Sequence, residues 1–324
     1  MNKQRIVWQF ILGNLDRGIP VMLLYVVESR GSSPGRQGFF MGVNVRGETE
    51  GSVGGGIMEH KFVEMAKERL AQGEQQTVLR KQVHDKESVR DQSGMICSGE
   101  QTIFLYFIRP SDEGTLRAIL DSLEQNRNGL LRLSPQGIGY LDEPPENDFG
   151  FTRRSEEDWS FSEKTGYKND LYIVGGGHCA LALSRIMQEM DFRIHLFEHR
   201  PGLHTLLQNE SVLEKIIIKE YDELKERIPS GENNQYVIVM TLGYRTDDRA
   251  IRALLGKRFR YFGVLGSQAK SEKLFAGYRA EGIAEEYLRE IHSPAGMAIK
   301  SQTPEEIAVS IAAEIIQEKN RDKQ

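Results

Sequence analysis

Leu171–Met187 reads LYIVGGGHCALALSRIM. A short β-branched, apolar run enters three glycines and an apolar-periodic stretch leaves them, the pattern of a strand, a tight turn and a helix. Gly175, Gly177 and Ala180 occupy the small positions of G-x-G-x-x-G/A. That spacing brings backbone close to a phosphate at a helix N-terminus. Downstream, LYIV, RIHLFE, KIIIK, YVIVMTL and YFGVLG alternate with helical stretches. The alternation predicts an α/β fold with a parallel, doubly wound, Rossmann-like sheet, whose ligands lie beyond the carboxyl ends of the strands.

In that frame Gly175, Gly176 and Gly177 are expected to cradle a phosphate, and His178 faces the same crevice, where it contacts a phosphate or carries a proton; a plain helix-start histidine is the alternative. Glu198 closes the second strand, where an acidic side chain accepts hydrogen bonds from ribose hydroxyls. Thr246 reads as an N-cap with Asp247 and Asp248 in the first turn, which leaves Arg245 as a candidate contact in the crevice. Ser267 opens the next helix at another anion-friendly terminus. His292 lies in the turn HSPAG and is a further candidate. The last helix opens with the capping box Thr303-Pro304-Glu305-Glu306.

A second triplet, Gly54, Gly55 and Gly56, sits in EGSVGGGIMEHKF. A helix over 57–70 follows, with Ile57, Phe62, Met65, Ala66 and Leu70 expected inward. Ser32, Ser33 and Arg36 precede it in SSPGR and supply hydroxyls and a cation for a phosphate or carboxylate. Two adjacent turns with an exposed arginine are the plainer alternative. Cys97, in SGMICSGEQTIFLY, enters a strand. Its thiolate suits a soft metal or sulfur; a small buried hydrophobe is the alternative. Cys179 reads as helix packing.

Three segments are expected: a mixed α+β domain over 1–108, a connector with partial structure over 109–168, and the Rossmann-like domain over 169–324. Within the connector, 111–126 reads as a helix and 130–140 as strand-like, with little regular structure from 141. The 324 residues carry a net charge of −5 and only two cysteines. This argues against nucleic acid as the main partner and against a disulfide framework. No apolar run reaches the length of a membrane span. The opening MNKQRIVWQFILGNLDRG reads as an amphipathic helix, and a cytoplasmic location is expected.

GSSPGRQG, EGSVGGGIMEH, GMICSGE, IVGGGHCA, GVLGSQAK and HSPAGM followed by TPEEIAVSIAAEI occur in this order. Together they resemble the XdhC/CoxI family, the xanthine dehydrogenase accessory factors. The resemblance implies an N-terminal domain carrying the first motifs and a C-terminal Rossmann domain. It also implies a chaperone, rather than an enzyme, that binds molybdenum cofactor (molybdopterin) and passes it, sulfurated, to a molybdenum hydroxylase. Cys97 is then the candidate for touching molybdenum, a cysteine desulfurase a second partner, and a homodimer the expected assembly. The chain departs from the family pattern at Ile57 and Ser98, at Gln268 and Ala269, and at Ala298 and Lys300. Two other readings stay open. One is an oxidoreductase using NAD(P) or another dinucleotide on the same loop, although no Ser-Tyr-Lys set accompanies it. The other is a divergent interaction protein without a cofactor.

Overall fold

The structure is a computed structural model and describes residues 3–84, 99–190 and 192–322. Contacts divide the chain into two units, Met1–Gly166 and Tyr167–Gln324.

The first unit runs α1 (Lys3–Asp16), β1 (Val21–Gly31), β2 (Phe40–Asn44), β3 (Thr49–Gly51), α2 (Gly56–Ala71), β4 (Val78–His84), β5 (Gly99–Phe107), α3 (Glu113–Glu124), β6 (Leu130–Ser134), β7 (Gly137–Leu141), β8 (Phe149–Arg153) and β9 (Trp159–Lys164). Its larger sheet has the order β3-β2-β1-β5-β4. The apolar run VMLLYVV in β1 is continuous because both faces of that strand are covered. Met22, Leu24 and Val26 pack with Met58, Phe62, Ala66 and Leu70 of α2. Leu23, Tyr25 and Val27 pack on the other face, with α1, α3 and the smaller sheet.

Two expectations change here. In α2 the buried stripe is Met58, Phe62, Ala66 and Leu70, at helical spacing, while Ile57 is 60% exposed. The helix starts at Gly56, and this start sets a phase that turns Ile57 to solvent. The stretch read as a connector belongs with the first unit and holds a four-stranded antiparallel sheet of order β7-β6-β9-β8. Its strands are only five or six residues long. Their inward residues alternate: Leu131 and Leu133 on β6, Trp159 and Phe161 on β9.

Glu163, 1% exposed, lies among these apolar groups. Tyr25 donates its hydroxyl to one carboxylate oxygen and Gln4 Nε2 donates to the other at 3.4 Å. Burial, and then the charge of Glu163, raise the Tyr25 pKa. The bond ties β1 to β9.

The second unit runs β10 (Asn169–Val174), α4 (His178–Met187), β11 (Phe192–Glu198), α5 (His204–Leu207), β12 (Glu214–Ile217), α6 (Leu224–Arg227), β13 (Gly231–Val239), α7 (Tyr244–Leu254), β14 (Phe259–Val264), α8 (Gln268–Ala280), α9 (Glu285–Arg289), β15 (Ile291–His292) and α10 (Pro304–Asn320). The sheet is parallel, with order β12-β11-β10-β13-β14-β15. Leu171 and Ile173 face the α4 and α10 layer, and Tyr172 and Val174 face the α7 and α8 layer. Crossovers run one way from β10 through β11 to β12, and the other way from β13. The β10/β13 boundary is therefore the topological switch point.

Tyr25→Phe removes the hydroxyl donor to a carboxylate that stays buried. The expected cost is about 1–3 kcal/mol. A urea unfolding series should show a lower midpoint with an unchanged slope; an unchanged midpoint would return Glu163 to a passive role.

Candidate functional site

At the switch point the chain leaves β10 through the second glycine triplet. Gly175 has φ +114°, and a Cβ there would lie 2.3 Å from the Met240 carbonyl oxygen. No other residue fits between these strands. Gly176 is buried; its N–H donates to Glu198 Oε2 at 2.8 Å, and its carbonyl accepts from Thr205 Oγ1 at 2.5 Å. Gly177 is the N-cap of α4, and a Cβ on it would meet nothing within 4 Å. The space beside it is a cleft of about 360 Å³ lined by Gly177, His178, Arg200, His204, Thr205 and the segment Met240–Leu242. The first turn of a ten-residue helix, an arginine and two histidines thus adjoin one cavity. Such a set attracts an anion.

The structure assigns Glu198 a different job from the expected one. Its side chain is almost wholly buried. Oε2 accepts from Gly176 N and from Arg200 Nη2, both at 2.8 Å. Oε1 accepts from His199 N at 2.8 Å and from Arg200 N and Nε at 3.0 Å. The carboxylate is saturated, so it cannot receive a ribose diol without giving up a donor. Burial alone would raise its pKa, but Arg200 and the N–H groups of Gly176 and Arg200 more than offset this and hold it at about 2. What the second strand presents to the cleft is Arg200. Sequence reasoning missed it, although it follows Glu198 by two positions and a bidentate guanidinium–carboxylate pair is an ordinary outcome of that spacing.

The remaining C-terminal candidates scatter. Arg245 is exposed in the first turn of α7 and does not line the cleft. Gly243, not Thr246, caps that helix; Thr246 Oγ1 accepts from Gly243 N at 3.1 Å. Asp247 does more than complement the helix dipole. Fully buried, it accepts from Thr241 N and Oγ1 and pairs with Lys270. Ser267 caps α8 by accepting from Lys270 N, away from the cleft lining. His292 binds Glu314 at 3.2 Å; that carboxylate also accepts from Tyr261 Oη and Gly296 N at 2.7 Å. These bonds fasten α10 to β14 and the turn after β15.

The first triplet already holds an anion. Glu59, in the first turn of α2, places Oε2 2.9 Å from Val53 N, 3.0 Å from Gly55 N and 2.6 Å from Ser52 Oγ. Burial acts to raise the Glu59 pKa, but Ser52 and the N–H groups of Gly55, Val53 and Gly54 hold it below its ordinary value. The expected external anion is replaced by the chain's own carboxylate. Gly54 is needed for packing, because a Cβ there would lie 2.4 Å from Gly35 N. Arg36 is exposed and donates to Gly31 O at 2.8 Å. Cys97 and Ser98 lie outside the described residues. Among the described residues no group of three or more His, Cys, Asp or Glu could hold a metal ion, and no helix is long and apolar enough to cross a membrane.

Residues 171–315 match the family model of the XdhC Rossmann domain, and residues 15–81 match that of the XdhC and CoxI family. The two models together cover more than half of the chain, and the chain belongs to the XdhC/CoxI family. It is 22% identical over 306 residues to the uncharacterized protein YqeB of Escherichia coli K12, covering 94% of this chain and 44% of that one. It is 26% identical over 168 residues to a protein of Bacillus subtilis described as a probable xanthine dehydrogenase subunit, covering 50% of this chain and 46% of that one. The chain thus spans less than half the length of either relative within the matched region. A crystal structure described as a xanthine dehydrogenase from Bacillus halodurans shares the fold, with a TM-score of 0.72, 22% identity and coverage of 100% of this chain and 97% of that one. The described departures from the family pattern, Ile57, Gln268, Ala269, Ala298 and Lys300, are all exposed. Lys300 has φ 60°, the left-handed backbone that glycine adopts most readily.

Glu198→Gln should loosen the glycine turn and free Arg200, at a cost of about 3 kcal/mol. The pH dependence follows from the depressed pKa. The ionised form stabilises the fold above the ordinary glutamate range, and that stability drains as pH falls toward 2. Between about pH 5 and pH 2, the window set by that depression, the wild-type Tm should fall more steeply than that of Glu198→Gln. Parallel curves would show that Glu198 titrates alike in both states.

Proposed function

We propose that this protein is an accessory factor rather than an enzyme. It binds a molybdopterin-type cofactor and delivers it to a xanthine dehydrogenase-type molybdenum hydroxylase. The observation that carries the reading is the cleft beside Gly177. There the glycine turn is held from behind by Glu198, while the start of α4, Arg200, His178 and His204 adjoin open space. The cargo's phosphate suits the helix start and Arg200, and the volume of about 360 Å³ lies in the range of small-molecule sites. Molybdenum supplies redox chemistry in the client; this chain binds, orients and releases. Membership of the XdhC/CoxI family and the xanthine dehydrogenase name of the Bacillus subtilis relative support the choice of client. A cysteine desulfurase as sulfur source, a homodimeric state and a cytoplasmic location belong to the same proposal. The saturated Glu198 speaks against a nicotinamide dinucleotide gripped by its ribose diol.

Gly177→Asp tests the cleft. A side chain there has free space, and aspartate is a favourable N-cap, so the fold should be unharmed or slightly stabilised. The carboxylate would repel a phosphate. Affinity for molybdopterin in a fluorescence titration should fall at least tenfold, about 1.4 kcal/mol, with Tm unchanged. NADP and NAD in parallel titrations decide the cargo. Undiminished affinity for whichever ligand binds removes the loop from the site.

Cys97→Ser should lower the molybdenum retained after gel filtration more than Cys179→Ser does, because thiolate is a soft ligand and hydroxyl is not. Cys179 packs against the second unit's core, and burial raises its pKa, which disfavours the thiolate. Equal molybdenum in the two variants returns Cys97 to packing.

A further inference from the structure

A second cavity lies in the first unit, between α2 and the edge strand β4. Its volume is about 300 Å³. Met58, Phe62 and Met65 form its apolar wall, Lys61 and Arg80 supply cations, and Gln82 and the Lys81 segment of β4 complete the lining. Charged residues on an edge strand have an ordinary purpose, since they keep the strand from pairing with another chain. Lys81 also pairs with Glu100 at 2.6 Å. Neither fact accounts for Gln82.

Gln82 is 3% exposed, and its Nε2 has no hydrogen-bond partner among the described residues. The direction of this amide is not arbitrary. Gly35 N–H donates to Gln101 Oε1 at 3.1 Å, which turns Gln101 Nε2 toward Gln82 Oε1 at 3.0 Å. A backbone N–H cannot accept, so the chain of donors is fixed at Gly35 and ends at Gln82 Nε2. A buried donor left unmet is costly. The relay begins in SSPGR, a motif the C-terminal cleft does not use.

We propose that this groove binds a phosphorylated heterocycle of mononucleotide size. A ring carbonyl or ring nitrogen accepts from Gln82 Nε2. The flat ring lies against Met58, Phe62 and Met65, whose thioethers make favourable contacts with aromatic edges. The phosphate meets Arg80, with Lys61 adding positive potential. A purine nucleotide and a pterin phosphate share this chemistry, and a volume of about 300 Å³ suits either. The site stands apart from the reading of the C-terminal cleft.

Isothermal titration of the full chain tests it, using guanosine monophosphate, 6-hydroxymethylpterin monophosphate and inorganic phosphate as probes. Saturable binding of at least one heterocyclic phosphate is expected, and the preferred one identifies the source. Gln82→Glu keeps the acceptor for Gln101 but replaces the donor with an anion, and Arg80→Gln removes an exposed charge. The titrations are made in the Gly177→Asp background, which silences the C-terminal cleft; there each groove variant should weaken binding at least tenfold with Tm within a few degrees of its parent. If Gln82→Glu fails to fold, Arg80→Gln decides. The proposal is overturned if neither heterocycle binds, if inorganic phosphate binds as tightly as both, or if a folded groove variant binds like its parent.

Discussion

A carboxylate from the chain itself sits in each glycine turn. Glu59 takes N–H groups of the first triplet and Glu198 takes the Gly176 N–H of the second. A tight turn at a helix start leaves backbone donors pointing into a small space, and leaving them unmet in the interior is costly. An internal anion meets that need without a ligand. In the first unit it anchors α2 at the start of its buried stripe. In the second it braces the turn and holds Arg200 beside the cleft. The two triplets look alike in sequence, yet in the first the N-cap glycine's N–H is taken by Glu59, whereas in the second the N-cap glycine lines a cleft.

This arrangement suits a carrier. A turn whose donors are already met keeps its shape when empty, so loading and unloading require no refolding of the loop. In the proposed carrier role, affinity would come from the start of α4 and from Arg200, whose charge is partly balanced by Glu198. A half-neutralised guanidinium grips an anion less tightly than an unpaired one, which favours release.

The Rossmann half was legible because each of its signals is local. Strands buried on both faces read as short apolar runs, and the triplet at the end of β10 fixes the switch point. Glu198 was legible as a position but not as a partner. The pattern placed an acid at the strand end, and only the folded chain shows that Arg200, Gly176 and His199 consume it. Glu59 was hidden for the same reason: an acid three residues into a helix reads as dipole compensation. Half of the small sheet was legible, since the strand-like stretch 130–140 holds β6 and β7; β8 and β9 were missed because they are short and follow acidic sequence. The alternation Trp159-x-Phe161 becomes evident only when paired with Leu131-x-Leu133. Ile57 went astray by one residue because the helix phase is set at its glycine start, not by the apolar count.

The backbone at Lys300 ties a strained turn to the last helix. A lysine in left-handed conformation costs on the order of 1 kcal/mol relative to glycine, and the neighbouring bonds from Met297 N to Ser310 O and from Ile299 N to Met297 O keep the turn in place. Ser310 belongs to α10, so the bond that holds the strained segment is also one that seats the helix against it. Turn and helix therefore form one mechanical unit, and what loosens either end is felt at the other.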